Sequence, residues 1–324
     1  MKVFDGSERF AKLTARLSLP LIAAPMFQVS GVDLVIAACN VGVIGAFPTA
    51  NCRSVQELQN WIDQIKAGRV ENAAPFCPNL IMRRETLAEE LACLCRNEVE
   101  IVITSVGSPA PVLPALHDIG CIVFADVASV AHARKAVEAG VDGLILLSAG
   151  AGGQTGSANG FAFVRAVRDF FDGPMVLAGG ISDGWSLLAA RALGCDLAYM
   201  GTRFMATKES MASAAYKAML VESALDDVML TSAFTGLDAS ILKPSIRAAG
   251  LDPQSLPADM SAEGAARMYG SGGSVDARRW TDIWSAGHSV SGVRDIPSVS
   301  GLVQRIAAEY AAAAISASKL ITCS

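Results

Sequence analysis

A glycine-rich stretch, Ser148–Ser157, is the main candidate in this sequence for a ligand-binding or reactive site. It follows an apolar run, Gly143–Leu147, and precedes a helical pattern that starts near Asn159. Because four of its ten residues are glycine, its backbone N–H groups can approach an anion or a flat ring closely. Gln154 is the only large side chain in the stretch, so a reaction at this place involves an amide.

Residues that leave the backbone accessible also follow other apolar runs. One run ends at Gly179–Gly180, and a later run ends at Gly201–Thr202. Further candidates at the ends of such runs are Ala24, Pro25, Met26, Asn79 and Asp126. These residues can act together only if the elements before them bring them to one place.

Short apolar runs, each followed by a turn and a helical pattern, recur along the first two-thirds of the chain. There are eight, at residues 19–26, 42–47, 75–80, 100–105, 120–125, 143–147, 174–178 and 195–200. Their continuous apolar character indicates burial on both faces, as in a parallel sheet. Eight strand–helix units in series favour an α/β fold of the closed (β/α)8 TIM barrel type over an open flavodoxin-like or Rossmann sheet.

A barrel of this kind gathers the candidate residues, because active sites lie at the carboxyl ends of its strands. The loops after the last two strands commonly bind a phosphate through backbone N–H groups. Gly179–Gly180 and Gly201, together with the hydroxyl of Thr202, therefore predict a phosphate site.

The strand–helix rhythm ends near Met211. Residues 211–285 are predicted to be largely helical, without strands, and to form an insertion after the eighth strand that can sit over the barrel mouth. The segment from Ser298 to about Ser318 is Ala-rich and amphipathic, which predicts a closing helix. We therefore expect a barrel from residues 1–210 and 286–324, and a small helical lid domain from residues 211–285.

Composition narrows the classes of function. The chain has 324 residues, of which 52% are apolar and 18% are charged, as in a soluble globular protein. A net charge of −5 argues against binding to nucleic acid or to an anionic membrane surface. The eight cysteines form no C-x-x-C or Cys/His cluster, which indicates free thiols in a cytoplasmic protein and no metal site.

The side chains at the predicted strand ends supply little chemistry of their own. Asp126 is the single carboxylate there, and two of the three histidines, His117 and His132, fall within helical patterns. A phosphate-bearing organic cofactor would supply the missing reactivity.

Several motifs occur in a characteristic order: Ala24-Pro25-Met26, Asn79, Gly150–Gly153, Ala178–Ile181 and Met200–Phe204. As a set they resemble the nitronate monooxygenase family, formerly called 2-nitropropane dioxygenases, which also includes FMN-dependent enoyl-acyl-carrier-protein reductases. The resemblance covers nearly the whole chain and extends to Leu242–Ser245 and Trp284–Gly287. It is specific for fold and cofactor and much less specific for substrate.

The resemblance implies a TIM barrel that holds FMN non-covalently beneath a smaller helical domain. The residues expected around the cofactor are Ala24, Pro25, Met26, Asn79, Asp126, Gly152, Gly153, Gly179, Gly180, Gly201 and Thr202. The last four would hold the phosphate, and the first three would line the isoalloxazine ring. Asn79 would hydrogen-bond the pyrimidine side, while Gly152 and Gly153 would allow close approach.

Gln154 departs from the family pattern, in which a histidine typically stands at this position as catalytic base or polar contact. Glutamine cannot take up a proton near neutral pH, so proton abstraction from a neutral nitroalkane is disfavoured. Oxidation of a preformed nitronate needs only a polar contact for the anion. His288 stands where many relatives have glutamine, so the two residues could have exchanged places, with His288 reaching the flavin from the other side; the alternative is an exposed loop residue.

Three functions remain open. The first is an FMN-dependent oxidoreductase of the nitronate monooxygenase type, which oxidises a nitronate or a similar small carbanionic substrate with O2. The second is an NADH- or NADPH-dependent reductase, or a desaturase, that acts on an enoyl or acyl thioester or a quinone. The third is a flavin-binding protein without turnover. The expected partners are a small-molecule substrate with O2 or NAD(P)H, no nucleic acid and no membrane, and a homodimer is left open.

Overall fold

The computed structural model describes residues 7–258, 260–269 and 280–321. Its strands are β1 (Leu21–Ala23), β2 (Ile44–Pro48), β3 (Phe76–Ile81), β4 (Ile101–Ser105), β5 (Ile122–Val127), β6 (Gly143–Leu147), β7 (Gly153–Gln154), β8 (Met175–Ala178), β9 (Leu197–Met200), β10 (Val228–Thr231) and β11 (Ala239–Leu242). Its helices are α1 (Ser7–Thr14), α2 (Val32–Asn40), α3 (Val55–Gly68), α4 (Leu87–Arg96), α5 (Leu113–Asp118), α6 (Val130–Ala139), α7 (Gly160–Arg168), α8 (Gly184–Leu193), α9 (Thr202–Met205), α10 (Ala214–Glu222), α11 (Lys243–Ala248), α12 (Ala262–Tyr269) and α13 (Val299–Ile321). Short 3-10 helices cover Thr49–Asn51, Leu225–Asp227 and His288–Gly292.

Eight parallel strands close into a barrel in the order β1-β2-β3-β4-β5-β6-β8-β9, and β9 pairs with β1 to complete the ring. Each strand coincides with one of the predicted apolar runs, so the predicted TIM barrel is confirmed. Alternate residues explain the continuous apolar pattern. Phe124 packs inside the barrel, while its neighbours Val123 and Ala125 pack beneath the surrounding helices.

The helices that surround the barrel are positioned by capping residues and by one close contact between two helices. Asp183 caps α8 by accepting a hydrogen bond from the backbone N–H of Ser186 at 2.8 Å. The predicted closing helix is α13, which packs against α8. A Cβ on Gly184 would lie only 2.0 Å from the backbone nitrogen of Tyr310, so glycine permits this crossing. In the described part of the chain, no helix combines the length and hydropathy needed to cross a membrane.

The insertion differs from the expected helical segment. It contains α10, α11 and α12, but also the antiparallel pair β10–β11, so the prediction of a segment without strands is wrong. The third strand of this sheet is β7 from the glycine-rich stretch, which pairs with β11 through Gln154 and Ala239. That pairing joins distant segments and has no local sequence pattern. Residues 259 and 270–279 of the predicted lid lie outside the described residues, and its boundaries stay a prediction.

Candidate active site

A cavity of about 1330 Å³ lies at the carboxyl ends of the barrel strands. We define the floor of the cavity by one lining residue from each barrel strand, near the end of the strand or just after it. In strand order these floor residues are Ala24, Pro48, Asn79, Ser105, Asp126, Leu147, Ala178 and Tyr199. The volume exceeds the roughly 300–1,000 Å³ of most small-molecule pockets, so the cavity can hold a cofactor and a second ligand.

Two polar residues on neighbouring strands of the floor hold each other in place. The side-chain amide of Asn79 donates to Oγ of Ser105 at 3.1 Å and to the carbonyl of Ile103 at 3.3 Å. The hydroxyl of Thr49 donates to the carbonyl of Asn79 at 3.1 Å. The structure thus brings Asn79 to the cavity, as predicted, with its amide orientation restrained by the barrel itself.

The other two polar floor residues are ionisable. Oδ1 of Asp126 is buried and has no hydrogen-bond partner among the described residues. Burial raises the pKa of Asp126 to about 7. Burial, with a smaller contribution from Asp126, also raises the pKa of Tyr199 well above its usual value. A buried oxygen without a partner at a cavity floor fits a ligand that supplies the missing donor or proton.

The loops after β8 and β9 offer hydrogen-bond donors from the backbone. The N–H groups of Gly180 and Ile181 make no hydrogen bond within the described residues, and both residues line the cavity. Gly180 has φ +73, and an added Cβ there would meet nothing within 4 Å. Thr202 Oγ1 accepts from the backbone N–H of Gly287 at 3.0 Å, so its own hydrogen remains to donate into the cavity. This set of donors fits a phosphate.

The glycine-rich stretch packs closely on the segment that follows the insertion. A Cβ on Gly152 would lie 2.8 Å from the backbone nitrogen of Gly287, and one on Gly287 would lie 2.6 Å from the carbonyl oxygen of Gly150. Contact between two backbones therefore accounts for Gly152, which we expected to serve approach to a cofactor. Gly153 has φ +68 with open space at its Cβ position, and it lines the cavity.

Gln154 lines the cavity and belongs to the sheet of the insertion. From the insertion side, the wall is continued by an aromatic pair, Tyr216 and Trp284, whose rings stack with centroids 4.8 Å apart. The Tyr216 hydroxyl donates to the carbonyl of Ser285 at 2.5 Å, which anchors the pair. The glycine-rich stretch and the insertion therefore share one sheet, and both belong to the wall of the cavity.

His288 lies apart from the other predicted site residues. Its side chain is exposed and is not part of the cavity lining. Its backbone N–H donates to the carbonyl of Gly150 at 2.8 Å, and its ring lies where a Cβ on Gly150 would point. His288 therefore packs on the outer side of the glycine-rich stretch, outside the cavity lining, and a contact between His288 and a flavin stays a prediction.

The sequence interpretation missed the residues that brace the loop after β1. Ala24, Pro25 and Met26 line the cavity as predicted. Ser30 Oγ donates to the carbonyl of Ala24 at 3.1 Å, and the amide of Asn51 donates to the carbonyl of Met26 at 3.1 Å. Ser30 and Asn51 are single polar residues in the connections between strands and α-helices, so no regular spacing in the sequence marks them. Tyr199 could have been found, because it stands two residues after the inward-facing Leu197.

Comparisons with known proteins agree with this geometry. The family model for nitronate monooxygenase matches residues 85–309. The chain is 27% identical to (3aS,4S,5R,7aS)-5-hydroxy-7a-methyl-1-oxo-octahydro-1H-indene-4-carboxyl-CoA dehydrogenase of Mycobacterium tuberculosis, over 70% of this chain and 64% of that protein, which is less than two-thirds of its length. It is 26% identical to nitronate monooxygenase of Paraburkholderia phytofirmans, over 73% of this chain and 76% of that one. FabK from Thermotoga maritima has a similar structure, with a TM-score of 0.79 and 25% identity over 98% of this chain and 99% of that chain.

Proposed function

The chain belongs to the nitronate monooxygenase family, and from that premise we propose that it is an FMN-dependent oxidoreductase that oxidises an alkyl nitronate or a similar small carbanionic substrate with O2. When bound, FMN would supply the two-electron redox chemistry that links oxidation of the substrate to O2. The N–H groups of Gly180 and Ile181 and the hydroxyl of Thr202 would hold its phosphate. The loop Ala24–Met26 and the restrained amide of Asn79 would position its ring over the barrel floor.

The observation that carries the substrate proposal is the side chain at the reactive stretch. Gln154 lines the cavity, and the one histidine that lines it in the described residues is His132, which is exposed on α6. An amide N–H can donate a hydrogen bond to the oxygen of a nitronate anion, but an amide cannot remove a proton from carbon. The side chain at position 154 therefore favours substrates that arrive already ionised.

Anaerobic reduction of the FMN-loaded protein tests this proposal. We expect an alkyl nitronate to bleach the flavin absorbance rapidly, while the parent neutral nitroalkane and NADH or NADPH do so far more slowly. Gln154→Ala should slow bleaching by the nitronate without releasing FMN. Rapid bleaching by NADH or NADPH with no response to nitronates would contradict the proposal, and no bleaching by either reductant would favour a flavin-binding protein without turnover.

A second candidate function is supported by the cavity mouth. The cavity extends to Arg83 and Lys135, two exposed cationic side chains without an ion pair in the described part of the chain. Together with the large volume, this mouth suits a long anionic substrate such as an acyl or enoyl thioester of coenzyme A. The name of the Mycobacterium tuberculosis relative describes a dehydrogenase of a carboxyl-CoA compound.

Charge reversal at the mouth separates the two candidates. If the substrate is a coenzyme A thioester, Arg83→Glu with Lys135→Glu should raise its KM at least tenfold and leave FMN content unchanged. Arg294→Glu, at an exposed position outside the cavity lining, serves as the matched control. Equal KM values in both variants would remove the thioester candidate.

A further inference from the structure

Asp126 is an ionisable floor residue that the proposed reaction does not use. It stands at the end of β5, and its buried Oδ1 has no hydrogen-bond partner among the described residues. An ionised carboxylate with an unsatisfied buried oxygen is costly, because neither water nor a donor stabilises its charge. Burial therefore shifts the balance towards the protonated form, and that balance responds to any charge that arises in the cavity.

The groups that face Asp126 carry no charge of their own. Tyr199 from β9 and Cys77 from β3 interact with it, and burial raises the pKa of both well above the usual values, so both stay neutral. The neighbouring strands β4 and β6 contribute Ser105 and Leu147 to the floor. The other titratable side chains of the lining are Tyr216, which is buried in the wall on the insertion side, and, on the more exposed part of the cavity, Arg83, Arg84, His132, Lys135, Glu138 and Asp238.

Burial alone raises the pKa of Asp126 to about 7, and no cation opposes that rise. The carboxyl can therefore take up or release a proton near neutral pH. A negative charge added nearby in a medium of low dielectric would shift it further towards the protonated form.

We propose that Asp126 takes up one proton when FMN bound in this cavity is reduced and gives it back when the FMN is reoxidised. This inference rests on the FMN-binding part of the proposed function and not on the identity of the substrate. Two electrons from the reducing substrate and one proton would enter the flavin, and one further proton would pass from solvent to the Asp126 carboxylate. When O2 takes up the two electrons, it would also take up two protons to form hydrogen peroxide, and Asp126 would return to its carboxylate form.

The two unusual side chains of the site then have complementary tasks. Gln154 can contact an anion but cannot store a proton, whereas Asp126 can store a proton at the floor. Proton uptake by Asp126 offsets the charge of the reduced flavin without a cationic side chain at the floor. The role is that of a proton-holding residue beneath the cofactor.

Redox titration of the FMN-loaded full chain between pH 5 and pH 9 tests the proposal, with electrochemical or dithionite reduction in place of substrate. Below the pKa of Asp126 the carboxyl is already protonated, so reduction draws no extra proton there. Above about pH 7 the wild-type midpoint potential should fall more steeply than that of Asp126→Asn, by about 30 mV per pH unit for one extra proton per two electrons. Identical slopes in the two proteins across the whole range would overturn the proposal.

A second buried carboxyl provides the matched control. Burial also raises the pKa of Asp142, which instead interacts with His117 and the N–H of Val123 and does not line the cavity. Asp142→Asn should keep the wild-type slope. A slope change of the same size in Asp142→Asn would also overturn the proposal, because the effect would then not be specific to the floor.

A measurement on the wild-type chain covers the case in which Asp126→Asn fails to fold or to retain FMN. The infrared difference spectrum between oxidised and reduced protein, with and without isotope-labelled aspartate, should show a protonated carboxyl signal that grows on reduction near pH 8. Absence of any aspartate signal would overturn the proposal. Because the reductant is not the substrate, failure of nitronates to react would count against the proposed function and leave this outcome unaffected.

Discussion

Two ends of the cavity, the loops after β8 and β9 and the opposite part of the floor, present different kinds of polar groups. After β8 and β9, the donors are backbone N–H groups of Gly180 and Ile181 with one hydroxyl, from Thr202, and within the described residues no cationic side chain of these two loops lines the cavity. Across the floor, on β3 and β4, the polar groups are the side chains of Asn79 and Ser105, which hydrogen-bond each other, and Thr49 holds the carbonyl of Asn79. The position of a backbone donor depends on the chain conformation, whereas the position of a side-chain donor depends on its hydrogen-bond partners. Substitutions at the two ends should therefore reduce FMN affinity by different amounts.

The largest effect should come from adding one methyl group at the backbone end. Gly180→Ala places a Cβ in the space where the phosphate would lie and strains a residue at φ +73. Loss of two hydrogen bonds to a charged group should weaken FMN binding by about 100-fold or more. Gly140, with φ +98 and open space around its Cβ position, is a matched control outside the cavity lining. Gly140→Ala should carry a similar strain and retain FMN, as measured by flavin content and fluorescence titration; equal loss in both would contradict the assignment.

The hydroxyl at the same end should give a smaller loss. Thr202→Val removes the hydroxyl that we propose as a donor to the phosphate, and it leaves the N–H of Gly287 without its partner. We expect FMN affinity to fall by about tenfold, and Thr202→Ser to restore most of it. Thr104→Val removes another buried hydroxyl, which donates to the carbonyl of Phe124 away from the cavity. That variant should lose stability in thermal unfolding but not flavin.

At the side-chain end, single changes should be milder. Asn79→Ala removes the amide that joins β3 to Ser105, and we expect FMN affinity to fall by a few-fold, since a typical hydrogen bond contributes about 1 kcal/mol. Asn97→Ala is the matched control, because the Asn97 amide donates to Gln59 and Cys93 outside the cavity lining. A greater loss of FMN in Asn79→Ala than in Gly180→Ala would reverse the contrast between the two ends.

The smallest effect on cofactor binding should come from the reactive stretch. Gln154 makes no side-chain hydrogen bond within the described residues. Gln154→Ala should therefore change FMN affinity by less than about twofold, a difference well below 1 kcal/mol. Turnover with the true substrate should fall much more, which a comparison of flavin titration with steady-state kinetics would reveal.

The difference between the two ends also explains what could be predicted from sequence. Barrel strands have continuous apolar runs because both faces are buried, and glycines such as Gly180 record a backbone conformation directly. Both kinds of information are local. The fold and the backbone end of the cavity were therefore predictable, whereas the contact between Asn79 and Ser105 depends on strand register.

The insertion was the least predictable region, for a physical reason. Its strands β10 and β11 are short, and their sheet is completed by β7, which lies much earlier in the chain. Likewise, His288 was selected for its chemistry, but its exposure follows from the backbone packing between Gly287 and Gly150. Neither contact leaves a periodic pattern that sequence reasoning could detect.

The pairing of Gln154 with Ala239 has a further consequence for the timing of the reaction. The side chain that would contact the substrate is part of the same sheet as the cover of the cavity. If the insertion moves to admit a ligand, either this pairing breaks or Gln154 moves with it. In both cases the sheet around Gln154 would be complete only once the insertion has returned, so the complete reaction site would form around a ligand that is already bound.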